Sequence, residues 1–194
     1  MKSNKIYVIQ MHTHTMPSRL IKLFTHYKYS HIAISLTPEC DKIYSFGRKE
    51  LNSIINSGFV IENRDGDFFN KFNETTCRIF EIEVTKKQYR NLKKIIKYMK
   101  IHSDLYKYDF IGIVLRFFKI PVRFKNRYVC SFFVADVLEK AHICKFNRKS
   151  RFVEPKDFEK IDGVKQVYEG KYLLMNENIV LRSSIKYRFF LLIK

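Results

Sequence analysis

The chain's four cysteines and six histidines are the side chains best suited to covalent chemistry. One cysteine stands apart by its position. In RYVCSFFVADVLEK, residues 127–140, Cys130, Phe133, Val134 and Val137 recur at helical spacing. Pro121, Arg123, Lys125, Asn126 and Arg127 break the preceding pattern, so the spacing predicts a helix starting at or just before Cys130. The open backbone N–H groups and the dipole at a helix N-terminus stabilise an anion. They favour the reactive thiolate, and the same amides can hold an oxyanion. Cys40 lies in a turn, Cys77 starts a strand and Cys144 follows a helix end, so none of them shares this setting. The competing reading of Cys130 is a small apolar core residue, the ordinary place of a free cysteine.

A thiol nucleophile ordinarily works with an imidazole. His26, His102 and His142 fall at predicted helix ends. His12 and His14 stand in MHTHTM after the first strand, where two exposed histidines are the simplest account. Read as an HxH pair they suggest zinc, but the remaining ligands are not visible, and the barrel of zinc amidohydrolases is larger than this chain usually builds. His31 opens YSHIAISL on the side of Ala33 and Ser35, which leaves room in front of its ring. A hydrogen-bonded structural histidine is the alternative there.

These residues need elements to position them. KIYVIQ (5–10), YSHIAISL (29–36), KIYSF (42–46), GFVIEN (58–63) and CRIFEIEV (77–84) read as strands, the second and third forming a hairpin across TPECD. PSRLIKLFTHY (17–27) reads as a helix entered at Pro17. RDGDFFNKFNET reads as loop. The clearest helix is TKKQYRNLKKIIKYMK (85–100), with a capping box from Thr85 to Gln88 and an apolar stripe of Tyr89, Leu92, Ile95, Ile96 and Met99. An apolar helix from Asp109 to Phe118, a short one at PKDFEKI and closing strands in VKQVYEG and IVLRSSIKYRFFLLI complete the pattern. One α+β domain over residues 1–194 is the simplest organisation.

Composition narrows the classes. At 46% hydrophobic residues the chain is neither disordered nor membrane-embedded. The apolar run near Phe110–Phe118 is about half a bilayer span. No signal peptide is visible, so a cytoplasmic protein is expected, with peripheral attachment to a membrane as the variant. The widely spaced cysteines contain no CxxC pair, which excludes a disulfide framework and a structural zinc site; no cofactor is expected. The net charge is +18. Its basic residues are scattered along the chain and read as a solvated surface, while the lysines of 86–100 offer a face for an acidic partner or anionic surface. No specific nucleic-acid motif is present.

SRLIKLFTHYKYSHIAISL, IYSFGRK, YVCSFFVADVLEKA, EPKDF and VYEG occur in this order. The order resembles that of permuted papain-like cysteine hydrolases, the NlpC-like amidases of the YaeF/YiiX type, in which the histidine strand precedes the cysteine helix. The resemblance spans most of the chain. It implies a circularly permuted papain-like fold, an antiparallel sheet packed against the cysteine helix. It implies Cys130 as nucleophile, His31 as base, and Ser45, on the following strand, as the residue that orients the imidazole. Many relatives carry a carboxylate at the position of Ser45, and they often read CSE where this chain has Phe132. The implied reaction is hydrolysis of an amide in a peptide or cell-wall-type substrate through an acyl-enzyme. Related permuted folds, including lecithin retinol acyltransferase, handle acyl lipids. A catalytically inactive basic module for membrane or nucleic acid is the non-enzymatic alternative.

Overall fold

The computed structural model describes residues 4–13, 27–50, 53–118, 120, 122 and 124–175. Eight strands form one curled sheet, a half-barrel: β1 (Asn4–His12), β2 (His31–Ser35), β3 (Lys42–Glu50), β4 (Ser53–Asn63), β5 (Thr76–Val84), β6 (Lys107–Tyr108), β7 (Arg127–Tyr128) and β8 (Lys165–Lys171). Their spatial order is β7-β6-β4-β3-β2-β1-β5-β8. All neighbours are antiparallel except β6 and β7. Among the described residues four α-helices accompany the sheet: α1 (Asp67–Lys71), α2 (Lys86–Ile101), α3 (Phe110–Phe117) and α4 (Cys130–Lys140).

Strand alternation sorts the core into two layers. Ile6, Val8, Ile32, Ile34, Phe46, Phe59, Phe80 and Ile82 form one sheet face, which packs against α2 and α4. The tightest part is aromatic: Phe133 of α4 has ring centroids 5.2 Å from Phe46 and 5.7 Å from Phe59. Tyr7, Ile9, Met11, Ala33, Ile43 and Ile79 form the other face, which packs on Phe69 of α1 and on Tyr172.

α2 begins at the expected capping box. Gln88 N donates to Thr85 Oγ1 at 3.2 Å and Thr85 N donates to Gln88 Oε1 at 2.8 Å. Its apolar stripe enters the α4-side core. α3 starts after Asp109, whose buried carboxylate accepts from Gly112 N at 2.9 Å.

One expectation is corrected. RDGDFFNKFNET is not all loop, because Phe69 gains a buried seat against Tyr172, with centroids 4.6 Å apart, and α1 forms around it. PKDFEKI forms the expected short helix, a 3-10 helix over Pro155–Lys160. The helix expected at 17–27, apart from Tyr27, and the strand expected at 179–193 lie outside the described residues. Among the described residues no helix is long and apolar enough to cross a membrane.

Candidate functional site

The segment that delivers His31 is tied down before the strand begins. Ser30 N donates to Met11 O at 3.1 Å. Tyr29 OH donates to Glu169 at 2.7 Å, and Tyr27 OH to Gln10 Oε1 at 2.9 Å. Hydrogen bonds from Tyr29 and Arg78 hold the Glu169 carboxyl down at about 2, so it is ionised as an anchor. His31 then opens β2, paired with Met11.

Ser45 lies on β3, and its Oγ is 3.1 Å from His31 Nε2. The Ser45 hydroxyl also donates to Ile32 O at 2.7 Å. A hydroxyl has one proton. Since that proton goes to Ile32, Ser45 Oγ accepts from Nε2–H. The neutral ring is thereby set as the Nε2–H tautomer, with Nδ1 carrying the lone pair. Burial pushes the His31 pKa down to about 4, so the imidazole is neutral near pH 7.

Cys130 is the first residue of α4 and is buried. Val129, its N-cap, is extended and makes no side-chain capping hydrogen bond. The first backbone bond of the helix runs from Phe133 N to Val129 O. The amides of Cys130, Ser131 and Phe132 are therefore not used within the helix.

Strand register places the thiol and the imidazole at the same end of the sheet. One transverse row runs through Met11, His31, Gly47, Gly58, Lys107 and Arg127. β7 runs opposite to β2, so the chain leaves Arg127 toward the end where β2 begins and reaches Cys130 there. This is the upper end. The faces differ, however. Cys130 shares its core with Ile32, Ile34 and Phe46. The His31 ring follows the alternate side with Ser45 and Gly47: His31 Cε1 lies 3.9 Å from where a Gly47 Cβ would stand. The thiol and the imidazole therefore share the upper end of the sheet but not its face. Gly47 and Gly58 carry no side chains there.

The structure thus brings His31 and Ser45 together and sets Cys130 at their end of the sheet. Phe132 is buried, stacked on Tyr128 with centroids 4.6 Å apart. It lines a cleft of about 470 Å³ with residues 145–151, away from the His31 ring. The other cysteines are poorly placed for chemistry: burial pushes the Cys40 and Cys144 thiols up to about 12, and Cys77 higher still.

Three residues matter more than their sequence context suggested. His12 is not exposed: it ends β1 only 9% accessible, and alternation puts it on the α4 side with Ile6, Val8 and Gln10. His14 lies outside the described residues. Gln10 is fully buried and donates from Nε2 to Pro155 O at 2.7 Å. Its signal was a polar residue at an inward position of β1. Glu62 pairs with Ile43, and burial raises its carboxyl to about 7. Among the described residues no group of three His, Cys, Asp or Glu side chains could hold a metal ion.

No protein-family model matches the chain, and no curated protein is similar to it.

Proposed function

We propose that the protein is a cysteine hydrolase of the permuted papain-like kind, cleaving an amide bond through an acyl-enzyme. The observation that carries this reading is the His31–Ser45 pair. Ser45 engages Nε2 and leaves Nδ1 as an unprotonated base, at the end of the sheet where α4 presents Cys130. The expected third residue is thus in hydrogen-bonding contact with the expected base.

In this mechanism Cys130 Sγ–H gives its proton to His31 Nδ1 across the upper rim. The thiolate attacks the substrate carbonyl, and the oxyanion is held by the amides at the start of α4. The His31 imidazolium protonates the leaving amine as the C–N bond breaks. Water, deprotonated by the same nitrogen, then hydrolyses the thioester and restores the thiol. Ser45 is uncharged, so it orients the ring without stabilising the imidazolium as a carboxylate would. That matches the low pKa of the resting ring.

The test is p-nitrophenyl acetate with quenched-sample mass spectrometry. Wild type should show a burst and one acetyl group on Cys130; Cys130→Ala should show neither. Ser45→Ala should form the same acyl-enzyme more slowly. Acetylation spread over lysines, with no burst, would refute the reading. One observation favours a second assignment of the base: His12 shares the α4 face with Cys130. Loss of the burst in His12→Ala but not in His31→Ala would select it.

A further inference from the structure

The molecule's positive charge is not evenly spread. Residues 86–127 hold thirteen of the Lys and Arg residues against two Asp, a net +11 of the chain's +18. The same stretch carries most of the exposed apolar surface. Among the described residues nine large hydrophobic side chains are exposed, and eight of them fall between residues 98 and 122: Tyr98, Ile101, Leu105, Phe110, Ile111, Phe118, Ile120 and Val122. Exposed apolar residues scattered singly need no explanation, but their concentration in one segment does.

The topology gathers this segment at the upper end. α2 leaves the sheet after β5 at the lower end and runs 16 residues, about 24 Å, back toward the row of His31. The chain rejoins that row at Lys107, and α3 begins three residues later. Ile111 is 55% and Phe118 64% accessible, at opposite ends of α3. Lys93, Lys94, Lys97, Lys100, Lys107 and Lys125 are exposed and make no ion pair among the described residues. Unpaired cations bordering exposed Ile, Leu and Phe make a surface suited to an anionic bilayer: the apolar side chains enter the headgroup region while the lysines meet lipid phosphate. A protein partner would instead be expected to bring acidic side chains to a face already lined with aliphatic ones. Among the described residues these unpaired lysines run from Lys93 to Lys125, and that spread favours the extended anionic surface.

We propose that α3, with the end of α2 and the exposed Phe118, Ile120 and Val122, is a peripheral docking surface for anionic membranes. The surface stands whether or not Cys130 is a nucleophile. It would hold the upper rim, where Cys130 and His31 lie, at the lipid surface.

The test is sedimentation of the full chain with vesicles of phosphatidylcholine alone or mixed with phosphatidylglycerol, at low and high salt. Wild type should bind the mixed vesicles and not the neutral ones. Lys97→Glu/Lys100→Glu and Ile111→Ser/Phe118→Ser should each weaken binding by roughly tenfold or more, because each cation near the surface and each inserted side chain contributes on the order of 1 kcal/mol. All four positions are exposed, so both variants should keep the wild-type circular dichroism spectrum. Failure to bind mixed vesicles would overturn the proposal. So would binding that ignores Ile111→Ser/Phe118→Ser, which would mean adsorption by charge alone. So would a concentration-dependent dimer abolished by that variant, which would mean that a second copy covers the face.

Discussion

Two half-buried titratable groups on the same sheet face should give folding stability opposite pH dependences. Burial lowers His31 from 6.5 to about 4, so the folded state binds fewer protons than the unfolded chain between those values. The contribution of His31 is present above pH 6.5 and lost as pH falls toward 4. Burial raises Glu62 from 4.5 to about 7, so the folded state binds more protons in that window. Its cost is fully present above pH 7 and vanishes as pH falls to 4.5. Each shift is about 2.5 units, or ~3 kcal/mol at 1.36 kcal/mol per unit. Both side chains keep some solvent contact, so screening reduces each to roughly 1–2 kcal/mol. In wild type the two nearly cancel. Urea unfolding at pH 7.5, 6.5, 5.5 and 4.5 would separate them. Relative to wild type, His31→Gln should gain roughly 1–2 kcal/mol on acidification and Glu62→Gln should lose a similar amount. Other carboxylates are common to all three chains and drop out of the difference. Parallel stability curves for the three proteins would refute the argument that both groups are desolvated in the folded state.

Two further outcomes follow from packing. A Cβ at Gly58 would stand 2.5 Å from Tyr106 O, a backbone atom of the β6 edge, whereas at Gly47 the nearest atoms are 3.6 and 3.9 Å away. Gly58→Ala should therefore lower the thermal midpoint by several degrees while Gly47→Ala changes it little, as read by scanning calorimetry. Phe133 is fully buried between Phe46 and Phe59, and Phe133→Ala should cost about 3–5 kcal/mol in urea unfolding.

Much of the fold was legible because its signals are local. The Thr85–Gln88 capping box and the stripe from Tyr89 to Met99 mark α2 almost to the residue, and alternation in YSHIAISL marks β2. The short strands β6 and β7 were not legible: each has two residues, held by pairing with β4 and with each other rather than by any pattern of their own. α1 was hidden for a similar reason, since five residues form a helix there only because Phe69 meets Tyr172 across the sequence. At the site, Ser45 was pointed to only by the resemblance, which implies an orienting residue on the strand after His31; its hydroxyl does meet the ring. The burial of His12 and Glu62 was not legible, because a polar residue at a strand end or on a half-covered face looks solvent-exposed until the neighbouring elements are in place.

The central claim is that Cys130 is a nucleophile served by His31. It is tested most directly by alkylation with iodoacetamide from pH 5 to 9, with each cysteine peptide quantified by mass spectrometry. Cys40 and Cys144, pushed up to about 12, and the still more shifted Cys77 should stay unmodified under native conditions. Cys130 should react first, well below the roughly 8.5 of a free thiol. Its rate should be at least about tenfold lower in His31→Ala, the loss expected for a missing general base, and unchanged in His12→Ala. A Cys130 as inert as the other three, or one whose rate is the same in His31→Ala, would contradict that claim.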